Sequence, residues 1–182
     1  MIKGGIGGAN TQTGARFEGK TDLATFLAEQ NGYSVIEINE PKYRTKRYNV
    51  FFDNKLIAQI FKKDALYRFL DEQKVNWKNI ISKQLLPDDS LYVVLNNTFF
   101  VIECKFQQVA GSVDEKLQTC DFKKKQYQKL MSHLNMEVKY IYLLSDWFKK
   151  PEYKDTLDYI ISVDCQFYFN YIPLQKLGLP VT

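Results

Sequence analysis

Apolar residues recur along this chain at two spacings, one near 3.6 and one near 2, and the alternation between them divides it into helices and strands. Over 14–29, Phe17, Leu23, Ala24, Phe26, Leu27 and Ala28 share one helical face, with Thr13 placed to cap the first turn and Asn31-Gly32 to stop the last. The run 33–39, built on Val35, Ile36 and Ile38, predicts a strand. Runs over 48–52 and 56–61 predict a hairpin turning at Asp53-Asn54. Helical spacing returns over 63–73 and 76–83, until Pro87 imposes an extended chain. The apolar, β-branched runs 90–95 and 98–106 flank Asn96-Asn97 and predict a second hairpin. A helix is expected over 113–134, with Leu117, Cys120, Tyr127, Leu130 and Met131 inward and a bend over 119–122. The nearly unbroken apolar run 138–144 predicts a strand buried on both faces, at the centre of a sheet. A helix over 151–161 with Pro151 near its start, an aromatic strand over 165–169 and an IPLQKLGLP tail complete the chain. Helix, strands, helix, strand is the order of an α/β or α+β sandwich.

Composition narrows the class. The 182 residues are 45% hydrophobic and 25% charged, which suits one globular domain over 14–182 behind a flexible, glycine-rich arm over 1–13. No apolar run approaches the roughly 20 residues of a membrane-spanning helix, and the polar start is unlike a secretion signal, so a soluble, cytoplasmic protein with no membrane partner is expected. Three cysteines and a single histidine indicate neither a disulfide framework nor a zinc site. The net charge of +4 is modest, but cations cluster at Lys62-Lys63, Lys123-Lys124-Lys125, Lys149-Lys150 and over 42–47. Such clusters suit phosphate backbones, and ordinary solvated lysines make the same pattern. The 12 Tyr and 13 Phe fall at strand and helix spacing and are assigned to the core.

The segment most informative about chemistry is LLPDDSLYVVLNNTFFVIECKFQQ, residues 85–108. Period-two geometry puts Glu103 and Lys105 on one face of a strand, while Ile102, Cys104 and Phe106 point to the other. Asp88 and Asp89 open the preceding strand, so antiparallel return of the chain brings a carboxylate back to Glu103. The bland alternative is a same-face ion pair on an exposed strand, with the aspartates as turn residues. Against it stands the FFVI that precedes the motif, because it drives the strand into the core, where unpaired charge is costly. Two carboxylates can hold a hard divalent cation that also binds phosphate. An adjacent lysine can orient the attacking water and offset charge on the phosphorane. The candidate metal-holding positions are Asp88, Glu103 and Cys104.

Pro87-Asp88 followed by Glu103-Cys104-Lys105, in this order of elements, resembles the PD-(D/E)XK nuclease superfamily over most of the chain. The resemblance implies a restriction-endonuclease-like core of order αβββαβ with additional strands, a central mixed β-sheet flanked by helices. It implies catalytic roles for Asp88, Glu103 and Lys105, with Asp89 an alternative to Asp88. It also implies an acidic residue from the first helix, for which Glu18 is the candidate, with a plain surface glutamate as the alternative. Gln107, two residues beyond Lys105 on the same face, could touch the water or a phosphate; a plain edge-strand glutamine is the alternative.

The stretches GGANTQTGARFE and ECKFQQVAGSVDEKLQT are similar to bacterial type II restriction endonucleases. That likeness implies Mg²⁺, with Mn²⁺ as a substitute, double-stranded DNA cut at a short sequence, a homodimer, and a cognate DNA methyltransferase in the same system. The glycines of the N-terminal arm would let Lys3, Asn10, Thr11, Gln12 and Arg16 approach DNA, and Lys116 could reach its backbone from the helix that Ser112 and Glu115 would cap. A structure-selective or repair nuclease, resembling a junction resolvase, and a non-catalytic DNA-binding module of the same fold remain the other readings.

Overall fold

The computed structural model describes residues 16–18, 20, 22–106 and 113–181. Among them the chain begins with β1 (Arg16–Phe17), α1 (Leu23–Ala28), β2 (Tyr33–Glu37), β3 (Arg47–Phe52), β4 (Lys55–Phe61) and α2 (Ala65–Glu72). The hairpin β5 (Asp89–Val93) and β6 (Thr98–Lys105) follows, then α3 (Val113–Leu117), α4 (Cys120–Ser132) and β7 (Glu137–Leu144). The last elements are α5 (Lys154–Ser162), β8 (Gln166–Phe169) and β9 (Ile172–Pro173).

Strands β2 to β8 form one seven-stranded sheet in sequence order, and β1 pairs with β9 beside it. Pairing is antiparallel from β2 to β6 and parallel between β6, β7 and β8, so the sheet is mixed. Parallel neighbours need a crossover, and α3 and α4 supply the one between β6 and β7. The expected α/β architecture, a central mixed sheet flanked by helices, is the one observed.

Alternation along the central strands explains their unbroken apolar text. Phe99, Val101, Tyr140 and Tyr142 belong to a core shared with α2, α4 and α5. Phe100, Ile102, Ile141 and Leu143 belong to a second core, shared with α1 and with Leu174, Leu177 and Leu179 of the tail. Both faces of β6 and β7 are therefore covered, which leaves polar side chains a place only at the strand ends. The tail closes one core rather than trailing from it.

Turn chemistry holds the hairpins. Asp53 and Asn54 have φ of 47° and 64°, the left-handed pair whose twist matches the strands it joins. Asn97, at φ 53°, ends the turn between β5 and β6. Among the described residues no helix is long and apolar enough to cross a membrane.

Several helix expectations need correction. The helix predicted over 14–29 is only α1, because Arg16 and Phe17 are taken into pairing with β9. Asp22 caps it, its Oδ1 accepting the Thr25 N–H at 3.1 Å; Thr13 lies outside the described residues. Lys63 has φ 51°, outside the helical region, so α2 starts at Ala65. The helix predicted over 76–83 is a single 3-10 turn, Trp77–Asn79, and one turn without a following apolar stripe has nothing to propagate it. The helix over 113–134 is interrupted between α3 and α4, close to the bend expected over 119–122; there the Thr119 hydroxyl donates to the Lys116 carbonyl at 2.7 Å and competes with the backbone ladder. Its predicted inner residues, Leu117, Cys120, Tyr127, Leu130 and Met131, are all buried. The segment over 151–161 opens as a 3-10 turn, Pro151–Tyr153, before α5.

Candidate active site

The site is built at the open end of the β5–β6 hairpin. Pairing there ends with Asp89 opposite Ile102, so Asp88 stands one residue beyond the ladder. It closes the gap with its side chain: Oδ2 accepts the backbone N–H of Cys104 at 3.1 Å. The Lys105 ammonium lies 3.5 Å from the same Asp88 oxygen and 2.9 Å from Glu103 Oε2, and it donates to the Cys104 carbonyl at 3.2 Å. One lysine thus joins both carboxylates. Glu103 is buried, at 7% exposure, and its other oxygen, Oε1, takes Lys123 from α4 at 3.3 Å. Lys63 donates to Asp88 Oδ1 at 3.3 Å.

These partners decide the charge states. Burial works to raise Asp88, but the Lys105 charge, the Cys104 N–H and Lys63 outweigh it and hold the carboxyl below its ordinary range. Burial works against the Lys105 charge, yet Glu103 and Asp88 hold its ammonium above the ordinary lysine value. An ionised Asp88 carboxylate thus faces a cationic Lys105, which is placed to stabilise negative charge.

Asp89 turns the other way. It is buried and bonded to Lys62, which also reaches Asp22 at 3.5 Å. Burial pushes Asp89 above its ordinary range, an effect Lys62 opposes. Asp22, Asp88, Asp89 and Cys104 line a cleft of about 670 Å³, with Lys20, Arg44, Lys46, Lys62 and Lys63. Asp88 is therefore shared between the cleft and the Glu103–Lys105 cluster, and geometry separates the two adjacent aspartates that the sequence left equivalent.

The remaining candidates fare unequally. Glu18 lies between β1 and α1 rather than on the helix, and pairs with Lys20 at 3.1 Å with half of its side chain exposed. The acidic group α1 does bring to the cleft is its cap, Asp22. Cys104 reaches the site through its backbone; its thiol packs against the second core, and burial pushes it up to about 12. Lys116 is exposed on α3. Arg16 is in β1. Lys3, Asn10, Thr11, Gln12, Gln107 and Ser112, the cap expected from the sequence, lie outside the described residues.

Sequence reasoning missed Lys123 as a contact of Glu103. The three lysines of 123–125 looked alike, yet each has its own carboxylate. Lys123 takes Glu103, Lys124 is buried against Asp164 at 2.5 Å, and Lys125 pairs with Asp121 at 2.7 Å. The signal was spacing: Lys123 and Lys124 fall within the stripe of Cys120, Tyr127 and Leu130, where a charge needs a partner.

Among the described residues no group of three or more His, Cys, Asp or Glu side chains has the geometry of a metal cage. The donors present, the Asp88 and Glu103 carboxylates with the Cys104 carbonyl beside them, are all hard oxygens. That set fits an ion such as Mg²⁺, which is commonly held by one or two carboxylates and completes its shell with water and phosphate. It does not fit a thiolate-seeking metal.

A family model for the PD-(D/E)XK nuclease superfamily domain matches residues 21–137, from the α1 cap to the start of β7. Comparison with curated proteins and with solved structures returns no match. The matched span exceeds half of the chain and contains the hairpin with all three residues of the Asp88–Glu103–Lys105 cluster. The chain belongs to the PD-(D/E)XK nuclease superfamily, and its domain is that of a nuclease, a hydrolase of phosphodiester bonds.

Proposed function

We propose that the protein is an endonuclease that cuts double-stranded DNA at a short specific sequence, in the manner of a type II restriction enzyme, with Mg²⁺ as cofactor and Mn²⁺ as a substitute. The observation that carries this reading is the meeting of Asp88, Glu103 and Lys105 around one ammonium at the end of a buried strand. Charges held so near a core are costly to bury and gather at functional sites, and membership of the superfamily supports phosphodiester hydrolysis as their use.

In this reading Asp88 and Glu103 hold the divalent ion. A divalent ion held there would supply polarisation of the scissile phosphate and a more acidic attacking water. Asp88 is prepared for the role by the Cys104 N–H, which fixes its orientation before any ligand arrives. Lys105, kept cationic by its two carboxylates, stands beside the metal-holding oxygens and offsets charge that grows on the phosphate in the transition state. Gln107 follows as a group for the water or a phosphate, and the basic cleft beside Asp88 suits the approaching DNA backbone. The arm residues Lys3, Asn10, Thr11 and Gln12, with Arg16 of β1 and Lys116, are proposed DNA contacts. One centre per chain implies a homodimer for a two-strand cut at a symmetric site. A cognate methyltransferase would protect the host's own sites.

The test is digestion of plasmid DNA by purified protein with Mg²⁺, followed by sequencing of the ends. Discrete fragments with a common end sequence support the restriction reading. Cleavage confined to branched or damaged DNA favours a structure-selective nuclease instead.

A further inference from the structure

Both oxygens of Glu103 are taken by ammonium groups from different elements. Oε2 accepts Lys105 from the same strand, and Oε1 accepts Lys123 from α4 at 3.3 Å. The two lysines are not equivalent. Lys105 is tied to Asp88, Glu103 and the Cys104 carbonyl at once, so it cannot leave without uncoupling the two carboxylates. Lys123 meets a single carboxylate, Glu103, among the contacts of the described residues, and its side chain is 29% exposed, so it can swing towards solvent. Its neighbours cannot replace it, because Lys124 is committed to Asp164 and Lys125 to Asp121.

An ion held by Glu103 must compete for these same oxygens, and the weaker-held one is Oε1. We propose that Lys123 is a positioning residue of the nuclease centre: it orients the Glu103 carboxylate through Oε1 and sets the divalent-ion affinity by competing for that oxygen. The inference rests on the reading of Asp88 and Glu103 as metal-holding residues. A merely structural ion pair anchoring α4 to β6 would leave metal affinity unchanged when broken, whereas a competing cation would not.

The experiment measures Mn²⁺ binding to the full-length protein by electron paramagnetic resonance, without DNA, for wild type, Lys123→Met, Lys123→Arg and Glu103→Gln, with thermal unfolding of each as a folding control. Methionine keeps the length and apolar stem of lysine and removes its charge. The expected result is Mn²⁺ binding about three- to tenfold tighter in Lys123→Met, the size of one partly exposed charge pair. Lys123→Arg should stay near wild type and Glu103→Gln should lose binding. A folded Lys123→Met variant with unchanged or weaker Mn²⁺ affinity, beside a Glu103→Gln variant that loses binding, overturns the role of Lys123 and leaves the metal centre standing. Binding unaffected by Glu103→Gln overturns the metal-centre reading itself, and the inference with it.

Discussion

Asp88 accepts the backbone N–H of Cys104 at 3.1 Å, across the point where the β5–β6 ladder has already ended. A side chain thus continues the pairing that the backbone gives up, and it carries a carboxylate to Lys105 and Glu103. Its neighbour Asp89 is turned to Lys62. Asp88→Asn should therefore lower cleavage by about two to three orders of magnitude, the scale of removing one charge-stabilising group. Asp89→Asn should leave cleavage within about threefold and act on stability, because it removes the buried charge that holds Lys62 and leaves that lysine only the longer contact to Asp22. Rates of plasmid nicking beside unfolding curves separate the two; equal loss of rate in both variants would contradict the assignment.

The first helix supplies a second contrast. Glu18 is off the helix and exposed, so Glu18→Gln should change neither cleavage nor thermal midpoint. Asp22 caps α1, and Asp22→Ala should cost about 1 kcal/mol of stability, read from urea unfolding. A Glu18 variant without activity would restore it to the site.

Period-two spacing made the hairpin, the shared face of Glu103 and Lys105 and the buried centre strand legible, since each depends only on neighbours along one strand. Asp88 against Asp89 was not legible, because their difference lies in how the chain turns beyond its last ladder pair. Arg47 misled in another way. Within a basic run it reads as a solvated cation, yet it is buried and forked between Glu40 and Glu72, residues 7 and 25 positions away. The partners of the 123–125 lysines likewise come from β6, from the turn before β8 and from α4 itself. Charge partners across elements have no local signature.

That Arg47 fork predicts a stability effect. Its guanidinium meets Glu72 through two nitrogens, at 2.7 and 2.8 Å, and Glu40 through two more bonds, so Arg47→Lys should destabilise by about 1–3 kcal/mol although charge is kept. An unchanged unfolding midpoint would contradict it.

The same fork predicts a pH dependence. Burial works to raise Glu40, but Arg68 and Arg47 outweigh it and hold it below its ordinary range. A depressed native pKa contributes stability above the unfolded glutamate value of about 4.3, and loses it as pH falls through the lower native value. Acid should thus weaken the wild type more steeply than Glu40→Gln below that pH. Parallel curves of unfolding midpoint against pH would exclude the contribution.

If Asp88, Glu103 and Lys105 form a metal-dependent nuclease centre, cleavage must depend on both the Glu103 carboxylate and a divalent ion. Purified wild type and Glu103→Gln are incubated with supercoiled plasmid and Mg²⁺, with and without excess chelator, after both are shown to bind DNA equally. Cleavage is expected from wild type alone and should vanish with the chelator; cleavage by Glu103→Gln at the wild-type rate would rule out the Asp88–Glu103–Lys105 centre.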